Sequence, residues 1–345
     1  MPKVLVIGAK VKDLEEQMSG PQVVFNNIVK DIDTEKVLVI GNKDLRDGIK
    51  KIFHREIKTL HIFGFTRSNA LLIIIGKILR KNIFYTANGL ASRENLHFAN
   101  SKQTYRIVEF ITLKLADKII CVSEGLKEMV LMDYKIPKRK LKVIPNGVSK
   151  DILNRKPKYN YFEKILSVNS NKKVIFTACG TFKYKGIVQL VEVINNIQRN
   201  DFILVIAGPA GNVHEKVMNM IDSQKIIYVG NLNQEDLISA YYYSDFYIQN
   251  SVYETFGLAP LEALAMGTPA IVSKDVQMNY LLKNTEMENF IVNTNEELSR
   301  KINSLLDNPQ VCEDLKPICV SIAQNSTWQV VRQQYKSLWE ISNEA

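Results

Sequence analysis

Glu254 and Glu262 stand eight residues apart in SVYETFGLAPLEALAMGTPAIVS (251–273), with Gly257 and Pro260 between them. An apolar strand at 246–249 leads into this stretch. Pro260 is expected at the first helical position, where its missing N–H costs nothing. Glu262 then falls in the first turn of that helix. One carboxylate thus lies just outside a helix N-terminus and one just inside it. The amides of Phe256, Gly257 and Leu258 lie at that end, which attracts anions and hydroxyl oxygens because its N–H groups lack intrahelical acceptors. Two carboxylates can each grip a vicinal diol, one on a sugar and one on a ribose. The plainer reading is that both acids only complement the helix dipole. Gly257 weighs against it, since a side chain removed beside two acids points to close approach by a ligand.

The elements that must hold these groups alternate between strand and helix, the pattern of parallel sheets covered on both faces. In the first half, 4–7, 37–40, 60–63, 83–86, 118–122 and 141–144 read as strands. Helices are expected at 22–30, after a turn over 17–21, and at 68–80, 101–116 and 124–132, the last capped by Ser123. In the second half, strands are expected at 174–178, 203–207, 226–229, 246–249 and 269–272. Helices fall at 187–198, 212–222 and 234–243, and residues 296–343 are largely helical, with Trp328 and Trp339 on the last helix. Residues 151–172 are polar, contain Pro157 and carry no period, so they read as a linker. The domains are therefore 1–150 and 173–327, with a helix at about 328–345 expected to cross back to the first. Ligands in open α/β sheets sit beyond the C-terminal strand ends, so a cleft between two such domains is the expected site.

At 345 residues the chain can bury two cores. Its charge is divided: residues 1–150 carry 27 Lys and Arg against 15 Asp and Glu, a net of +12, and the remainder 18 against 21, a net of −3. A basic half suggests an anionic partner. SNALLIIIGKILRKN (68–82) ends in a Lys/Arg cluster and fits either an anionic membrane surface or a buried crossover helix with a solvated basic end; the crossover reading is preferred. No apolar run is long enough to span a membrane, and MPKVLVIG lacks the pattern of a secretory signal. Cys121, Cys179, Cys312 and Cys319 are scattered, as expected of buried thiols in a reducing cytoplasm.

Several segments together resemble a known family. The pair Glu254/Glu262 followed by ALAMGTPAIVS is similar to the EX7E signature of retaining GT-B glycosyltransferases of family 4. ADKIICVSEGLKE (116–128), KVIPNGV (142–148), GTFKYKG (180–186), LVIAGPAG (204–211) and YVGNLNQEDLISAYYYSDFYI (228–248) follow in that family's order. The resemblance implies an α/β GT-B fold, two Rossmann-like domains facing across a cleft. It implies transfer of a sugar from a nucleotide diphosphate sugar to an acceptor hydroxyl with retained configuration, and no metal or cofactor. Lys185 matches the diphosphate-binding lysine, in a loop begun by Gly180, and Gly20 matches the glycine-rich loop of the first domain. Glu262 would hold the ribose and Glu254 the transferred sugar. Thr255, Phe256, Gly257 and Leu258 would surround the sugar or diphosphate, and Gly230 to Leu232 would flank the base.

Two positions depart from the pattern. The family often carries Arg where this chain has Thr181, and Lys183 is the candidate to restore that charge. A His common after the fourth strand is replaced by Asn88, which can hydrogen-bond a sugar hydroxyl but cannot shuttle a proton. His61 and His97 are the candidates to stand in. Asp31-Ile32-Asp33 is formally a metal–diphosphate motif but is read as a polar turn, Lys138-Arg139-Lys140 as a solvated face, and at least one of Tyr241–Tyr243 as core.

The expected function is transfer from a UDP- or GDP-sugar to a saccharide or lipid-linked acceptor in surface-polysaccharide or glycolipid assembly. Location is expected to be cytoplasmic, with peripheral contact to an anionic membrane through the basic half, and no nucleic-acid partner. The competing readings are a GT-B sugar-nucleotide epimerase or hydrolase and a nucleotide-sugar-binding protein without turnover. A nucleic-acid-binding protein would have only the basic half to support it.

Overall fold

Short apolar runs, several of them closed by a glycine, fold as parallel strands flanked by helices. A computed structural model describes residues 3–8, 19–33, 35–41, 45–93, 103–153, 155–164 and 171–344. Two compact units result: Met1–Asn146 with Trp328–Ala345, and Gly147–Thr327.

The first unit holds a six-stranded parallel sheet among the described residues: β1 (Lys3–Gly8), β2 (Val37–Gly41), β3 (Ile57–Phe63), β4 (Asn82–Ala87), β5 (Lys118–Cys121) and β6 (Leu141–Val143), in the order β2-β1-β3-β4-β5-β6. The chain moves one way from β1 to β2 and the other way from β2 onward. Right-handed crossovers therefore place helix Gly20–Val29 on one face and helices Leu45–Ile52, Arg67–Ile78 and Gln103–Leu115 on the other. Gly20 and Pro21 belong to the first helix, capped by Ser19, whose N–H donates to Gln22 Oε1 at 2.8 Å; the expected turn over 17–21 is partly helix, and residues 17 and 18 lie outside the described residues. Helix Leu45–Ile52 carries no sequence-based expectation.

Trp339 comes from the last helix, Trp328–Glu344, to pack beside β3. Its indole N–H donates to His61 Nδ1 at 2.8 Å. An indole cannot accept, so Nδ1 is unprotonated and the imidazole proton sits on Nε2, facing Thr86 Oγ1 at 2.9 Å. Thr86 in turn lies 3.2 Å from the Tyr335 hydroxyl. His61 is wholly buried, and burial pushes its pKa down to about 3. It is a structural residue and not the stand-in for a catalytic histidine. His97 lies outside the described residues.

The second unit holds β7 (Lys173–Ala178), β8 (Phe202–Ala207), β9 (Ile226–Gly230), β10 (Phe246–Gln249), β11 (Ala270–Ser273) and β12 (Ile291–Val292), ordered β12-β11-β10-β7-β8-β9. Residues 155–164, expected as linker, pack on this unit. Arg155 pairs with Glu235, the Tyr159 hydroxyl donates to Asp236, and Tyr161 N–H donates to Ser239 Oγ at 2.9 Å. The C-terminal helical region is three helices, Asn295–Asp307, Gln310–Gln324 and Trp328–Glu344. Of the three consecutive tyrosines, Tyr241 is core while Tyr242 and Tyr243 are exposed. Asp33 caps a polar turn, accepting from Glu35 N–H at 2.9 Å.

The buried imidazole sets a pH dependence for the first unit. Unfolded, His61 takes a proton below about pH 6.5; folded, it stays neutral down to about 3. The unfolded state thus binds more protons across that window, and stability is lost as pH falls through it, by up to about 1.4 kcal/mol per pH unit. Trp339→Phe is expected to cost about 1–3 kcal/mol by leaving Nδ1 without its donor. Thermal unfolding of both proteins between pH 4 and 8 checks both effects.

Candidate active site

In the second unit the chain runs β7-β8-β9 in one direction and β10-β11-β12 in the other, so the sheet reverses between β7 and β10. The C-terminal strand ends at such a reversal are where open α/β sheets place their ligands. Lys185 lies on the loop after β7 and Glu254 on the loop after β10. They form an ion pair, with side chains only 19% and 18% exposed. Burial works against the Lys185 ammonium, but the Glu254 carboxylate beside it outweighs that and pushes the pKa up to about 12. The lysine is a fixed positive charge at any physiological pH.

The backbone around the pair is tightly determined. Gly186 has φ 66°, and a Cβ there would collide with the Asn250 carbonyl oxygen, so the two loops touch backbone to backbone. Val252 N–H donates to Tyr184 O at 2.9 Å, tying the second loop to the first. On its other side that loop bridges Val276 through Glu254, and Met278 N–H donates to Phe256 O at 2.7 Å. The Phe256 ring is buried, which leaves its backbone as the part that can meet a ligand.

Gly257, at φ 112°, is the N-cap of helix Leu258–Ala265. Pro260 is therefore the third helical residue, not the first, and still breaks no bond because the first four N–H groups have no intrahelical acceptor. Glu262 falls in the second turn, which removes the simple dipole-complementing reading. Its Oε2 accepts from the Tyr241 hydroxyl at 3.2 Å. Burial pushes the Glu262 carboxyl up to about 7, against the opposing pull of that hydrogen bond. The Tyr241 ring packs on that of Tyr247 on β10 at 5.7 Å, and the Tyr247 hydroxyl accepts from Ala178 N–H at 3.2 Å at the end of β7. Glu262 is thereby tied through Tyr241 to the same two strands whose following loops carry Lys185 and Glu254.

Thr181 sits inside this scaffold. It is wholly buried, its Oγ1 accepts from Gly211 N–H at 2.7 Å and lies 3.2 Å from His214 Nδ1. Its side chain locks the loop after β7 to the loop after β8 and offers no surface to a donor. Lys183 is exposed, and its N–H donates to Asn212 Oδ1 at 3.0 Å. Gly180 (φ 61°) packs on Pro209; Gly230 (φ 68°) has open space where a Cβ would point, and Leu232 follows it half-buried. Thr255 and Leu258 are half-buried on either side of Phe256 and Gly257. In the first unit, Asn88 is half-buried directly after β4, and Gly20 is exposed with nothing within 4 Å of where its Cβ would be. Tyr241 is the site residue that sequence reading missed. Its spacing from Ile238, three residues earlier on one helix, would have placed it on the inward stripe.

The model for glycosyl transferases group 1 matches residues 160–318, and that for glycosyltransferase family 4 matches residues 38–151. The chain belongs to the family 4, group 1 glycosyltransferases. It is 31% identical over 185 residues to an uncharacterised glycosyltransferase of Methanocaldococcus jannaschii, covering 51% of this chain and 47% of that one. It is 28% identical over 236 residues to the UDP-Gal:alpha-D-GlcNAc-diphosphoundecaprenol alpha-1,3-galactosyltransferase of Escherichia coli, covering 65% and 59%. An alpha-monoglucosyldiacylglycerol synthase of Streptococcus pneumoniae is 28% identical over 176 residues, covering 48% and 39%. The chain thus spans about half the length of these curated relatives. Among solved structures, Anabaena HepE in complex with UDP and glucose superposes with a TM-score of 0.76 at 17% identity, covering 98% of this chain and 99% of that one. WaaG, a glycosyltransferase involved in lipopolysaccharide biosynthesis, gives 0.72 at 12%, covering 97% and 99%. The fold is GT-B.

A carboxyl titrating near 7 accepts two hydroxyl hydrogen bonds only once it has lost its proton. Binding of a diol at Glu262 is expected to weaken as pH falls below about 7, approaching tenfold per unit. Tyr241→Phe removes the donor that favours the carboxylate and moves that midpoint upward; Glu262→Gln abolishes it. Isothermal titration of nucleoside diphosphates from pH 5.5 to 8.5 reads all three.

Proposed function

We propose that this protein transfers a sugar, with retained anomeric configuration and without a metal ion, from a UDP- or GDP-sugar to an acceptor hydroxyl. The observation that carries the reading is the Lys185–Glu254 pair at the reversal between β7 and β10, with Glu262 in the same neighbourhood. The leaving group is a nucleoside diphosphate, whose negative charge grows as the bond from phosphate oxygen to the sugar's anomeric carbon breaks. A preorganised ammonium and helix-end amides stabilise that charge where it develops. Lys185, permanently charged, takes the diphosphate; Glu254, released from the lysine, turns to the hydroxyls of the transferred sugar; Glu262 holds the ribose diol. The acceptor oxygen bonds to the anomeric carbon on the face that the phosphate leaves, and its proton passes to the departing phosphate oxygen. No protein nucleophile is needed. Asn88 supplies a hydrogen bond to a sugar hydroxyl.

The acceptor is proposed to be lipid-linked, in assembly of a surface polysaccharide or glycolipid. Two relatives support this by name, one acting on a diphosphoundecaprenol and one making a glycosylated diacylglycerol. The charge division of the chain supports it independently.

A thermal-shift screen against nucleoside diphosphates and their sugars tests the donor. A ligand at 100 times its Kd stabilises the native state by about 2.7 kcal/mol. One base is expected to raise Tm selectively. Glu262→Ala should weaken nucleotide binding, and Lys185→Ala should lower turnover by about 100-fold or more, the scale of losing one charge-stabilising group. If no nucleotide moves Tm, or both variants match wild type, the assignment is wrong.

A further inference from the structure

The helix Arg67–Ile78 does cross between β3 and β4, as preferred from sequence, and buries Asn69, Ala70, Leu72, Ile73 and Gly76. Its seat on the sheet is close: a Cβ on Gly76 would stand 2.8 Å from Ile83 Cδ1. Its outer face, though, is not polar. Leu71, Ile74 and Ile78 recur at helical spacing on the opposite side and are 43%, 38% and 74% exposed. The neighbouring helix Gln103–Leu115, packed against it, exposes Ile107 and Phe110, 61% and 50%. On the other flank, Phe53 at the end of helix Leu45–Ile52 is 61% exposed. Lys81 Nζ donates to the carbonyls of His54 (3.1 Å) and Ile57 (2.6 Å), which holds the Phe53 turn against the end of the Ile78 helix. One outer helical layer of the first unit therefore presents a row of large apolar side chains to solvent. Contiguous exposure of this kind marks an interaction surface.

The charges around it are mostly positive, and Asp133, beside Ile107 and Phe110, is paired with Arg93 at 2.7 Å. Residues 45–81 carry nine Lys and Arg against two Asp and Glu. Both acids are already paired, Asp47 with Lys51 at 2.6 Å and Glu56 with Lys3 at 3.4 Å. At the far end Asp117 pairs with Lys77 at 2.7 Å, and Glu109 is turned inward to accept from Ala91 and Ser92 N–H and from the Tyr134 hydroxyl. Arg55, Arg80, Arg106 and Lys114 remain on the exposed side, with Lys114 Nζ over the Phe110 ring at 5.6 Å. No helix among the described residues is long and apolar enough to cross a membrane. Apolar side chains interleaved with cations, on helices fixed flat to a sheet, match a bilayer interface. The side chains reach the acyl boundary, and the cations meet lipid phosphates.

We propose that this helical layer, centred on Leu71, Ile74, Ile78, Ile107 and Phe110, is the face by which the protein docks on an anionic lipid bilayer. Its purpose rests on the lipid-linked-acceptor reading, which it deepens by assigning the membrane a specific surface.

The test is co-sedimentation with vesicles of phosphatidylcholine alone and with added phosphatidylglycerol, at low and high salt. Wild type is expected to bind the anionic vesicles selectively and to release them as salt rises. Ile74→Glu with Ile78→Glu should weaken binding by about tenfold or more. Arg80→Gln and Arg106→Gln should each weaken it by about fivefold. Wild-type indifference to phosphatidylglycerol, or unchanged binding by these variants, overturns the proposal. So does sedimentation showing that the same isoleucine changes abolish self-association, which would make the layer a contact between copies. Tighter binding of RNA or DNA than of vesicles through the same arginines also overturns it. Thermal shift with nucleoside diphosphates keeps the two readings apart. The surface variants should retain the nucleotide response, and Glu262→Ala should lose it while still binding vesicles.

Discussion

The second unit is organised around one constraint: an ammonium and a carboxylate are held together where the sheet changes direction. Two charges partly withdrawn from water are tolerated only when their desolvation costs are offset by close pairing. Lys185 and Glu254 achieve this because their loops leave adjacent strands and are pressed together at Gly186 and Asn250. The Thr181 hydroxyl fixes the first loop from behind, and the bridge between Glu254 and Val276 fixes the second from its outer side. A cation placed in this way is ready for an anion and needs no reorganisation beyond surrendering its present partner.

Burial acts on three other titratable groups with different outcomes. His61 is neutral and has both ring nitrogens engaged, so its low pKa costs nothing at neutral pH. Glu109 accepts two amides and a tyrosine, which oppose the upward push of burial on its pKa. Glu262 has the Tyr241 hydroxyl and titrates near neutrality, a carboxylate short of donors in its present surroundings. The first two are what a folded core does with polar groups. The third is left with capacity for a ligand's hydroxyls.

Strand positions were legible because a parallel sheet buried on both faces demands continuous apolar runs, and Val4–Ile7, Val37–Ile40 and Ile203–Ala207 supply them. Of the candidate site, the types and spacing of Glu254, Gly257, Glu262 and Lys185 singled out the two loops that the fold joins through the Lys185–Glu254 ion pair. Detail failed where distant contacts decide. Nothing within ten residues of His61 announces a partner 278 positions later. Thr181 looks like a lost arginine in a string, while in the fold its hydroxyl closes a gap between two loops. Pro260 suggested a helix start, but Gly257 can adopt φ 112° and, as the N-cap, starts the helix two residues sooner, at Leu258. The apolar run at 71–78 was too dense for its period to distinguish inner from outer face.

The first unit is interrupted by the second: its chain leaves at Asn146 and returns at Trp328. Trp339 and Tyr335, which complete the polar core around His61, are made only after the whole of the second unit. During synthesis the later unit, Gly147–Thr327, is contiguous and can close as soon as it clears the ribosome. The earlier one must wait, with His61 and Thr86 lacking their partners, until the helix that begins at Trp328 has emerged. Order of translation and order of folding are thereby reversed in this molecule, and nascent-chain protection falls first on the half that is made second.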